Sequence, residues 1–160
     1  MNTSTSTDSS NNSTESFCLK IQHRHVVFGW WSLTGFVSLG IFLEAMHAFK
    51  IFWYLDPGFE IRRLLWRLAH AHGTLLSLVQ LGFAFSIRFG WSGNCHGLAT
   101  TSILFLLAGL LLPLGFFLGG IKFYGGDPGL GIFLAPVGAA CMLVACLLTA
   151  WSITKGTSTP

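Results

Sequence analysis

Four apolar runs, at about 26–49, 68–90, 99–121 and 129–153, take up most of this 160-residue chain. A bilayer core about 30 Å thick is crossed by a helix of about 20 mostly apolar residues, so each run is long enough to span. Only 9% of the residues are charged, against roughly 25% in a soluble domain, which leaves too little polar surface to face water. Backbone groups in lipid must be satisfied within their own segment, which favours helices. The expectation is an all-α, four-helix transmembrane bundle of up-down-up-down order, forming a single membrane domain over 20–155. Residues 1–19 read as a disordered polar tail, because "MNTSTSTDSSNNSTES" holds almost nothing to bury. Its Asn-x-Ser/Thr sequons arise readily by chance in such a composition. The polar lead is too long for a cleaved signal peptide.

The separators have turn chemistry: "YLDPGFE", "GWSGNCHG" and "YGGDPGLG" imply short connections and antiparallel neighbours. Asp56-Pro57 and Asp127-Pro128 read as helix starts, an aspartate cap followed by proline at the first helical position. Indole and phenol rings favour the headgroup level. Trp30, Trp31, Trp91 and Trp151 fall at one set of span ends, and Trp53, Tyr54, Trp66 and Tyr124 at the other. The net charge of +3 is modest and its basic residues sit in short clusters beside apolar runs, which excludes a nucleic-acid face. Arg62, Arg63, Arg67 and Lys50 concentrate in the first loop. The positive-inside tendency then places that loop in the cytoplasm and both termini outside a plasma (inner) membrane.

Small-residue stripes mark the helix faces expected to pack. In the second span the stripe is His70, Gly73, Thr74, Ser77, Leu81, Ala84 and Arg88, with Leu76, Val79 and Phe83 assigned to lipid. In the third it is Thr101, Ala108, Gly115 and Gly119, and in the fourth Ala135, Gly138, Met142, Ala145 and Thr149. Pro113 is expected to bend the third helix for packing. Cys18 and Cys95 fall on one side, where a disulfide is open to them but not implied.

The chemistry-bearing group lies around the first loop. His47 stands three residues before Lys50 and His70 three after Arg67, which puts both rings about 4–5 Å inside one interface. Glu44 lies a turn deeper on His47's face. Residues i and i+2 point about 200° apart on a helix, so His70 rather than His72 is expected to face inward. An ionisable group inside a span reads as a functional site by default.

Glu44, His47 and His70, with His72 as a fourth, form a ligand set suited to a transition metal. His47 and His70 are also candidate axial ligands for a haem b, with Gly40 and Gly73 leaving room and Arg67, Arg62 or Arg63 near its propionates. Locally, His70-Ala71-His72 and its apolar continuation resemble the ligand helix of the haem-copper oxidases; the family's other ligand helices are absent. Cys18, His23, His25, Cys95 and His96, at the opposite interface, match no zinc spacing and read as solvated.

Three functions follow. One is a redox or sensing membrane protein holding haem or a metal at the Glu/His cluster. Another is a noncatalytic structural or assembly subunit, packing against other membrane proteins or its own copies in the bilayer, with the cluster serving helix packing only. The last is a small proton-linked channel or transporter using Glu44 and His70 as a relay.

Overall fold

The computed structural model describes residues 4–90, 95–122 and 127–156, with side chains at 14–88, 97–122 and 127–155. Five α-helices follow one another in these segments: α1 (Ser4–Ala48), α2 (Phe52–Leu55), α3 (Glu60–Gly90), α4 (Cys95–Gly119) and α5 (Leu134–Gly156). Each helix but the single-turn α2 lies in a segment long and apolar enough to cross a membrane. The chain is thus a multi-pass, all-α membrane bundle. α1 packs along α3, α3 along α4 and α4 along α5, with α1 also against α4. Trp91 and Tyr124, and the side chains of Cys95 and His96, lie outside the described residues, so the Cys18–Cys95 pairing does too.

Two boundaries differ from the sequence expectation. Helical backbone extends into the segment 1–19, and Phe17 and Cys18 pack there against the core of Ile21, Phe83, Leu98, Phe105 and Ala145. The second long helix begins at Glu60 rather than 68. Arg62, Arg63 and Arg67 are therefore helical, and the connection from α1 is shorter than the polar stretch suggested. α1 ends in a Schellman turn: Ile51 N–H donates to the Met46 carbonyl at 3.1 Å and Lys50 N–H to that of His47 at 3.2 Å. Lys50 takes the left-handed position, φ 51°, where glycine is usual. Asp56 then accepts from Gly58 N–H at 2.7 Å and caps a 3-10 turn, Pro57–Phe59, that leads into α3. The matching expectation for Asp127 fails, because the turn that opens α5 starts at Leu130 behind Gly129 and has no side-chain cap.

The small-residue stripes are used inside the chain. A Cβ on Gly115 would stand 2.5 Å from the Ala135 backbone nitrogen, and one on Gly138 2.6 Å from that of Leu112, so α4 and α5 meet almost backbone to backbone. Gly73 receives the Phe36 ring, and Ser77 Oγ lies 2.8 Å from Ser32 Oγ, which fixes α3 against α1. The assignment of Leu76 and Phe83 to lipid is corrected. Both are buried, because α3 lies between α1 and α4 and so has two covered faces. Its lipid stripe runs instead through Leu64, Arg67, Ala71, Leu75, Leu78, Gly82 and Phe85. Pro113 is buried within α4, which remains one helix through it.

This packing is open to a direct comparison. Gly115→Ala is expected to lower the stability of the detergent-solubilised protein by about 1–3 kcal/mol through overpacking. Gly35→Ala, with nothing within 4 Å of the new methyl group, is expected to leave stability unchanged or raise it by up to about 1 kcal/mol. Thermal unfolding followed by circular dichroism measures both.

Candidate functional site

Two polar groupings emerge, one in the bundle interior and one in a groove open to lipid. The interior one centres on His25, which the sequence reading placed among solvated groups. It is 0% exposed. Its Nδ1 stands 2.5 Å from Gln80 Oε1 and its Nε2 2.6 Å from Ser102 Oγ. The Gln80 amide donates to the Phe105 carbonyl at 2.6 Å, and Arg24 donates to Ser102 Oγ at 2.5 Å.

These partners determine the proton positions. Gln80 presents its oxygen to the ring, so Nδ1–H donates. Nε2 of the neutral ring then accepts the Ser102 hydroxyl proton, while Ser102 accepts from Arg24. Every hydrogen bond in the chain Arg24→Ser102→His25→Gln80→Phe105 points the same way, and α1, α3 and α4 are joined at one level. Phe83 covers the imidazole edge-on at 4.8 Å, and Gly109 leaves the space that Gln80 fills.

The order Ser, His, Gln has the connectivity of a nucleophile, base and orienter. Ser102 and His25 are both wholly buried, however, so a substrate has no approach to Oγ. The signal for His25 was present in the sequence. Ile21, His25, Gly29, Ser32, Phe36, Gly40 and Leu43 recur at steps of three and four, the spacing of one helix face.

The expected Glu/His cluster comes apart along the bundle axis. His70 donates Nδ1–H to the Phe36 carbonyl at 2.7 Å and lies across Gly40, where a Cβ would be 2.3 Å from the ring. His47 is seven residues further along α1 than Gly40, about 10 Å at 1.5 Å per residue. The two rings therefore sit at different depths, because α3 starts early and carries His70 ten residues into its helix. His72 faces the other way, as its spacing from His70 requires: it donates to its own helix's Leu68 carbonyl at 2.9 Å and meets Phe116 of α4 at 4.9 Å. Among the described residues no group of three or more His, Cys, Asp and Glu side chains could hold a metal ion.

Depth follows from the same contacts. Leu43 and Met46 share a cluster with Tyr54 and Trp66, while Trp66 packs on Gly120 and donates to the Phe117 carbonyl at 3.2 Å. Glu44 and Arg67 thus stand level with the end of α4, near the headgroups and not inside the hydrocarbon. Both are exposed. Trp53, Trp66 and Phe59 gather round Arg62, whose guanidinium lies 4.7 Å from the Phe59 ring, and build the aromatic belt at this end. Trp30 and Trp31 belong to no such belt. They lie next to Ser32, which bonds Ser77 of α3 thirteen residues before that helix ends, about 20 Å inward.

A groove of about 1010 Å³ opens between α1 and α3 on the lipid side. Val37, Ile41, Leu64 and Leu68 form its apolar part; Glu44, Arg67 and His70 supply its polar groups, and Gly40 and Ala71 keep it wide. Three of the expected site residues, Glu44, His70 and Arg67, line it, and His47 and His72 do not. Arg67 and Glu44 make no hydrogen bond or ion pair with described residues, whereas Arg63 bonds the Leu55 carbonyl at 2.6 Å and Glu60 at 3.6 Å, and Arg62 bonds the Gly120 carbonyl at 3.1 Å. Tyr54, 3% exposed, lies near Arg67, Arg63 and Glu44. Burial pushes its phenol up against the opposing pull of the two arginines, so it stays protonated.

Fold and groove together define a multi-pass helical membrane protein with a polar-mouthed, lipid-facing cleft. No protein-family model, curated protein or solved structure matches the chain.

The interior network makes its own prediction. Gln80→Leu removes the acceptor for His25 and the donor to Phe105. It is expected to destabilise the bundle by about 2 kcal/mol, since each buried orphan costs about 1–3 kcal/mol and interhelical bonds in lipid average about 0.6. His72→Ala, which removes a bond within one helix, is expected to cost less. Denaturant titration in mixed micelles ranks the two.

Proposed function

We propose that the protein is a noncatalytic membrane protein that binds an amphiphile from the bilayer in the α1/α3 groove. The observation that carries this reading is the groove's polarity: an apolar floor of Val37, Ile41, Leu68 and Ala71 lies on the inner side of a mouth that holds Arg67 and Glu44, with Leu64 at its rim. An acyl chain lying on the floor brings its polar end to those charges without leaving its own depth in the bilayer. The deeper polar groups favour a binding role over catalysis, because His25, Gln80 and Ser102 are engaged with each other and His72 with its own helix.

A haem is the second reading, favoured by one feature of His70. Its Nδ1–H is held by the Phe36 carbonyl, which makes Nε2 the nitrogen available to a ligand in the neutral ring; metal-ligating histidines are oriented by a second-shell acceptor in this way. Arg67 would then face a propionate, with His70 as the one protein ligand.

One purification separates the readings. The amphiphile reading expects about one lipid retained per chain after delipidation, measured by native mass spectrometry, and its loss in Leu64→Trp, which fills the groove from an exposed position. The haem reading expects a Soret band that His70→Ala removes. Colourless protein that retains no lipid, or Leu64→Trp that retains as much as the wild type, contradicts the proposal.

A further inference from the structure

We infer that the groove's amphiphile is a glycerophospholipid with a primary-amine headgroup, of the phosphatidylethanolamine type. This inference rests on the groove reading above and names its ligand. It starts from two charges of opposite sign that line the mouth from different helices and form no ion pair with each other. Arg67 on α3 and Glu44 on α1 both line the groove and are exposed, yet no ion pair joins them. The neighbouring arginines are engaged: Arg63 with Glu60 and the Tyr54 and Leu55 carbonyls, Arg62 with the Gly120 carbonyl. Among the residues that line the groove this leaves one guanidinium and one carboxylate, set on different helices.

A zwitterionic head complements that pair. The guanidinium takes a phosphate through two parallel N–H···O bonds, and the carboxylate accepts from an ammonium. A primary amine has protons to donate and is small. A choline head carries the same charge but no N–H, so it gives Glu44 no hydrogen bond. A glycerol head has no cation, so its lipid's net negative charge meets Glu44 unfavourably. The order expected is therefore phosphatidylethanolamine above phosphatidylcholine and phosphatidylglycerol.

The test offers full-length protein equal parts of the three lipids, matched in acyl chains, and reads the bound species by native mass spectrometry. The wild type is expected to select phosphatidylethanolamine by about tenfold, the factor that one charge-assisted hydrogen bond supplies. Glu44→Gln should bring the ratio of phosphatidylethanolamine to phosphatidylglycerol close to one while total lipid per chain holds. Arg67→Gln should lower both. Among the described residues neither side chain has a hydrogen-bond partner to lose, and an unchanged melting temperature verifies that both variants are intact. Equal binding of the three lipids by the wild type, or a Glu44→Gln ratio unchanged from wild type, overturns the headgroup assignment even where Leu64→Trp still empties the groove. If Leu64→Trp binds as the wild type does, the groove reading falls and takes this inference with it.

Discussion

An imidazole that enters the hydrocarbon must find a donor and an acceptor inside the protein, since lipid supplies neither. His25 does so with Gln80 on one nitrogen and Ser102 on the other, and the rest of the bundle's register follows. Ser102 lies five residues inside the start of α4's apolar segment at Gly97, so His25 is about 7–8 Å within it. That placement draws α1 into the membrane earlier than its hydropathy suggests. About two turns further along α1 Ser32 meets Ser77, and beyond it His70 closes over Gly40. Glu44 then emerges at the headgroups beside Arg67.

Hydropathy and turn chemistry were enough to identify four spans, their antiparallel order and Asp56 as a cap, because lipid acts on every residue of a helix alike. What could not be read from those averages is the work of single side chains. Counting "HRH" as solvated started the first span about six residues late and misplaced Trp30 and Trp31 at an interface, while starting the second span after Arg67 brought His47 level with His70. Helix-face spacing carries the missing signal, since His25 shares the stripe of Gly29, Ser32 and Gly40. Gln80 gave no such warning, for a single amide within an apolar helix reveals its role only when its partner is known. Likewise Leu76 and Phe83 were assigned to lipid because composition does not tell a helix with one covered face from one with two.

The candidate site has a related history. Glu44, Arg67 and His70 were legible as unusual neighbours of an interface, and all three line the groove. Their roles were not legible, because a metal site needs convergence in three dimensions and α3 starts too early to give it. The axial offset that separates His47 from His70 leaves a lengthwise cleft instead of a closed cage. Its shape suits a molecule with a long apolar body and a charged end, and its two ionic groups sit where such an end would be.

That arrangement is tested most directly by magic-angle-spinning NMR of the protein in phosphatidylethanolamine bilayers, reading dipolar contact between the Arg67 guanidinium nitrogens and lipid phosphorus. The account predicts a contact that survives washing to low lipid content and disappears in Leu64→Trp. An Arg67 signal that shows no phosphorus and couples to the Glu44 carboxylate instead would contradict it, since the mouth of the groove would then be closed by the protein itself.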